Sequence, residues 1–147
     1  MKSKKMKRQL LSATVASSMA LGLFAPPLSQ QVFAAEEGFK DLIISEYIEG
    51  SSYNKAIELY NGTGEAIDLS NYSLELHSNG AETTDKVLAL SGTLEAGEVL
   101  VIAHKDAGAE ILAQADIEDS YVINFNGDDP ITLKKNDSII DSIGQTG

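Results

Sequence analysis

"KAIELYNGTGEAIDLSNYSLELHSNG", residues 55–80, decides how this chain is read. Polar and apolar residues alternate along it. Ile57, Leu59 and Asn61 fall on one face of an extended segment, and Ala56, Glu58 and Tyr60 on the other. A period of two marks a strand with one face on a core. Asn61-Gly62-Thr63-Gly64 then breaks the pattern with residues that favour turns. Residues 72–77 alternate again, and Ser78-Asn79-Gly80 turns once more.

The same grammar extends in both directions. Strands are predicted at 42–47, 56–60, 66–69, 72–77, 86–90, 98–103, 121–125, 131–134 and 138–143, with a tight turn at Asn136-Asp137. The run at 98–103 is continuously apolar after Glu98, which predicts a central strand buried on both faces. Asp106 is placed to cap one short helix over 107–115. Many short strands with a single helix predict an all-β, antiparallel sandwich or barrel.

Residues 1–34 read differently. Lys2, Lys4, Lys5, Lys7 and Arg8 precede an apolar stretch that ends at Pro26-Pro27, and Val32-Phe33-Ala34 offers a cleavage site before Ala35. That order is expected of a secretory signal peptide, and it predicts a secreted, extracellular protein with no membrane attachment after cleavage. Residues 35–40 form an acidic lead-in to a domain over 41–147. The first 34 residues hold five of the eleven basic residues and none of the 22 acidic ones, so the remainder carries six lysines, 22 acids and a net charge of −16. Such a field repels nucleic acid and anionic lipid, so no direct nucleic-acid binding is expected. Without cysteine, no disulfide supports the fold.

"IISEYIEGSSYNKAIELYNGTGEAIDLSNYSLEL", with the later "EAGEVLVIA" and "NFNGDDPITLKKNDSIIDSIGQTG", resembles the lamin-tail domain across about residues 41–147. The resemblance implies an immunoglobulin-like β-sandwich. The loop with Glu-Gly-Ser-Ser and Asn-Lys-Ala is similar to that of lamin-tail domains in secreted bacterial proteins, many of which carry an endonuclease or phosphatase module further along. Lamin-tail domains of this type continue through a tryptophan to one more strand. This chain has no tryptophan and stops at Gly147, so a truncated sandwich without its last strand is expected. The implied function is non-catalytic: an interaction or positioning module serving a protein partner or a downstream catalytic module.

The candidate residues follow from side-chain chemistry. Glu46 and Glu58 either face water or turn inward toward the 49–54 loop or Lys55, and an inward carboxylate needs partners. Asn61 and Asp68 are placed to close turns through their side chains. Glu49, Tyr53 and Asn54 are the candidate contact residues, with Tyr53 at the loop tip. Asn126, Asp128 and Asp129 gather oxygens in a turn and are the candidate calcium ligands, although the spacing is not that of an EF-hand. No cofactor is otherwise expected. His77 and His104, the two histidines, fall at strand ends, where solvent exposure is expected. No nucleophile–base constellation or metal spacing links them to the acids, so no catalytic residue is assigned.

Overall fold

A computed structural model describes residues 38–147. The signal peptide expected at 1–34 and the start of the expected acidic lead-in lie outside the described residues. In chain order the strands are β1 (Ile43–Glu49), β2 (Lys55–Tyr60), β3 (Ile67–Asp68), β4 (Tyr72–Leu76), β5 (Lys86–Ala89), β6 (Thr93–Leu94), β7 (Val99–His104), β8 (Ile117–Asp119), β9 (Ile131–Lys135) and β10 (Ser138–Ile143). One helical turn, α1 (Ala109–Leu112), lies between β7 and β8. One sheet has the order β1-β2-β7-β8, a second the order β10-β9-β4-β5, and β3 pairs with β6.

The alternation places the core. Ile57, Leu59 and Ile102 of the first sheet and Leu74, Leu76, Ile131 and Leu133 of the second are fully buried in one cluster with Phe125. Burying each such side chain contributes about 1.5–3 kcal/mol. The two sheets therefore pack face to face as a sandwich. All pairings are antiparallel except β7 with β8. The antiparallel sandwich expected from the sequence is present, with this one parallel pair added at an edge. The chain leaves β7, passes through α1 and returns in the same direction, and a crossover of about a dozen residues containing a helix delivers a parallel neighbour.

Three local expectations are corrected. The helix is a single turn rather than 107–115, and Gly108, not Asp106, is its N-cap. The Asp106 N–H is given to Nδ1 of His104 at 3.1 Å and its carboxylate pairs with Lys105, so neither is free to start a helix. Second, β7 is covered on both faces only in its later half: Ile102, Ala103 and His104 are buried, but Val99 is 42 % exposed.

Third, residues 121–125 are not a strand, although three of them are buried. Val122, Ile123 and Phe125 have no exposed surface. Oδ1 of Asp119 accepts the N–H groups of Tyr121, Val122 and Ile123 at 3.0, 2.6 and 3.0 Å. The carbonyl of Val122 accepts from the N–H of Asn124 at 2.8 Å. Consecutive amides that converge on one carboxylate curl the backbone, and their donors are satisfied without a ladder.

The sandwich is clasped along one flank. β1 and β10 are edge strands of different sheets. At a bulge between Ile44 and Glu46, the N–H of Ile44 reaches across to Oδ2 of Asp141 at 2.8 Å. Below it, Asp41 accepts from the Tyr72 hydroxyl at 2.6 Å, the Leu42 N–H at 2.9 Å and Nζ of Lys135 at 2.8 Å. Burial alone would raise the Asp41 carboxyl; these three donors outweigh it and hold the group below its ordinary value.

Candidate functional site

The outer face of the first sheet carries a groove. Glu46 and Ile48 of β1, Ala56 and Glu58 of β2, Val101 of β7, and Ile111 and Gln114 from the α1 region wall a cavity of about 90 Å³. Register explains the composition. Ile48 pairs with Ala56, Glu46 with Glu58, and Glu58 with Val101, so these side chains share one face. Ile48 is 40 % exposed. Glu58 is anchored by the Ser45 hydroxyl, which donates to Oε1 at 2.7 Å. Among the described residues the Glu46 side chain makes no hydrogen bond or ion pair. Neither glutamate turns into the core. Lys55 instead lies 3.9 Å from Glu49 and above the Phe125 ring, 5.5 Å from its centroid.

The candidate contact loop is braced from within. Glu49 accepts from the Tyr47 hydroxyl at 3.0 Å. Asn54 accepts the Gly108 N–H at 2.8 Å through its side chain and the Gly50 N–H at 2.7 Å through its carbonyl, which ties the loop to the start of α1. Tyr53 does not stand free: its ring stacks on His104, with centroids 4.4 Å apart and planes 12° apart, while half its surface stays exposed. In the 126–129 turn, Oδ2 of Asp129 accepts the backbone and side-chain N–H groups of Asn126, each at 3.0 Å, and Oδ1 accepts the N–H of Asn79 at 2.7 Å. Asp128 points outward and is exposed. Among the described residues, no group of three or more His, Cys, Asp or Glu side chains is placed to hold a metal ion.

The turn-closing residues behave as their chemistry dictates. Asn61 is fully buried. Its Nδ2 donates to the carbonyls of Glu65 and Leu94 at 2.7 and 2.8 Å, and its Oδ1 accepts the N–H and hydroxyl of Thr63 at 3.1 and 2.8 Å. Asp68 caps the short 3-10 turn at Leu69–Asn71 by accepting the Ser70 N–H at 2.9 Å, which holds its carboxyl below the ordinary value.

Two four-stranded sheets over one core, with turns locked by Asn61 and Asp68, form the frame of an immunoglobulin-like sandwich. A family model described as the Lamin Tail Domain matches residues 36–147, which spans every strand described above. The chain belongs to the lamin tail domain family. No curated protein matches it.

In this lamin tail domain both histidines are buried, which corrects their expected exposure. His77 is 5 % exposed and His104 3 % exposed. Nδ1 of His77 donates to the Ala81 carbonyl at 2.9 Å, and Nε2 lies 3.3 Å from the Thr132 hydroxyl and 3.6 Å from Glu75, which also pairs with Lys134 at 3.2 Å. His104 accepts the Asp106 N–H on Nδ1, and its ring lies against that of Tyr53. The two rings lie in separate environments rather than one cleft. Sequence reasoning missed Ile48, Val101 and Ile111 as groove residues. The available signal was the apolar content of 98–103 on both of its faces, which lacks a matching cover at Val99.

Proposed function

We propose that this lamin tail domain is a non-catalytic interaction module, exported from the cell, that positions a protein partner or a catalytic neighbour. The observation that carries the reading is the division of labour among polar groups. Asn54, Asn61, Asp68, Asp119 and Asp129 bind their own backbone, whereas the apolar groove with Glu46 and Glu58 faces outward. Groups engaged in folding are not available to a substrate, and function on such a frame belongs to exposed faces and loops. The order of charge, apolar stretch and cleavage site in residues 1–34 supports export.

The test is an activity assay on the purified chain with double-stranded DNA, single-stranded DNA and a chromogenic phosphodiester, each with magnesium, manganese and calcium. Turnover is expected to match the blank. Metal-dependent hydrolysis that disappears in H77A or E75Q would overturn the reading, because those residues bring a histidine, a carboxylate and Lys134 together.

A further inference from the structure

We infer that the groove on the outer face of the first sheet receives one lysine or arginine side chain from a basic segment of a partner protein. Its aliphatic stem lies along Ile48, Ala56, Val101 and Ile111, and its cation is shared by Glu46 and Glu58. This deepens the interaction-module reading and rests on it.

Size bears on the occupant first. The groove, at about 90 Å³, is smaller than the sites of about 300–1,000 Å³ that enclose small organic ligands, and an open groove of that size suits a single side chain laid along it. The lining selects its chemistry. Apolar walls with a carboxylate pair at the rim suit a side chain with a hydrocarbon stem and a charged head.

The register supplies a second, independent argument. Glu46 sits directly opposite Glu58 across β1 and β2. Like charges in that position destabilise an antiparallel pair. Glu58 is nevertheless held there by the Ser45 hydroxyl, which the bulge at Ile44 and Glu46 brings into reach. Glu58 is thus partly compensated, whereas Glu46 opposite it has no partner among the described residues, and a local conflict of this kind marks a candidate functional position. An entering cation turns the repulsion into two attractions. The overall field points the same way. A net charge of −16 over residues 35–147 draws a basic segment in and keeps a second copy of the chain away.

The experiment titrates the intact chain, labelled at Ile, Leu and Val methyl groups, with a short peptide bearing one lysine between valines. The same peptide with glutamate or norleucine in place of lysine serves as control. The methyl signals of Ile48, Val101 and Ile111 are expected to move with the lysine peptide alone, less at high salt. Substitutions E46Q and E58Q are each expected to weaken binding roughly two- to fivefold, the range of half-exposed ion pairs. Each is also expected to leave the unfolding midpoint equal or slightly higher, which confirms that the variants fold. Equal binding of the norleucine peptide overturns the proposal, as do shifts centred on Val87 or Ile139 of the other sheet. Groove shifts that depend on protein concentration without peptide overturn it in favour of self-association. A groove indifferent to lysine in a chain inert toward phosphodiesters leaves the broader reading in place.

Discussion

Replacing Asp119 with alanine tests the account of residues 121–125 most directly. Oδ1 of Asp119 is the acceptor for three backbone amides, two of them on residues with no exposed surface, Val122 and Ile123. Orphaning one buried donor costs about 1–3 kcal/mol, and the third amide, on exposed Tyr121, can turn to water. The expected loss for D119A is therefore about 3 kcal/mol. For a domain of this size, about 4 °C per kcal/mol lowers the midpoint by about 12 °C. D119N keeps an acceptor oxygen and loses only charge assistance, roughly half of each bond, so about 1.5 kcal/mol is expected. Urea unfolding followed by far-UV circular dichroism gives both values, provided the slopes agree. Amide exchange at Val122 and Ile123 is expected to quicken in D119A before the rest of the core. A D119A variant within 0.5 kcal/mol of the parent, or D119N as costly as D119A, would show that the carboxylate does not shape this segment.

Asn61→Ala removes four side-chain hydrogen bonds from a fully buried site and leaves the Glu65 and Leu94 carbonyls short of a donor; thermal unfolding is expected to show a loss of about 2–4 kcal/mol. The Asp41–Tyr72–Lys135 cluster sets two limits on pH. The Asp41 carboxyl is held below its ordinary value, so its stabilising contribution is present above about pH 3.9 and disappears as pH falls through the folded value. Lys135 is raised, chiefly by its hydrogen bond to Asp41, and Tyr72 is raised, chiefly by burial, so their contributions are full below about pH 10 and disappear as pH rises. D41N is expected to flatten the acid limb of a midpoint-versus-pH profile, and an unchanged limb would refute the assignment. Calcium at extracellular levels is expected to leave the midpoint unmoved, because both Asp129 oxygens already accept hydrogen bonds; a rise of several degrees, absent in D128N, would instead support the calcium reading of Asn126, Asp128 and Asp129.

Much of the fold is legible in the sequence because one signal, the period of two, determines most of it. Ile57 against Glu58 and Leu74 against Glu75 assign inner and outer faces, and Asn61 and Asp68 announce their turns. The signal fails where composition and backbone hydrogen bonding part company. Val122, Ile123 and Phe125 are apolar enough for a strand, yet their amides answer to Asp119, a residue outside the apolar run. The parallel return of β8 is illegible for a related reason, since nothing in three residues fixes the direction of a neighbour. The groove is only half legible. Its glutamates stand out in the sequence, but their apolar companions come from β1, β2, β7 and the α1 region, and only pairing register brings them together.

The bond from Ile44 to Asp141 has a kinetic corollary. It joins positions 97 residues apart, so the loop it closes spans nearly the whole domain. Closing so long a loop carries an entropic penalty before it yields any contact, and topologies of that kind fold slowly. The Ile44 N–H therefore finds its acceptor late, after β1 has already paired with its near neighbour β2. Refolding slower than that of a helical domain of equal length is the expected consequence.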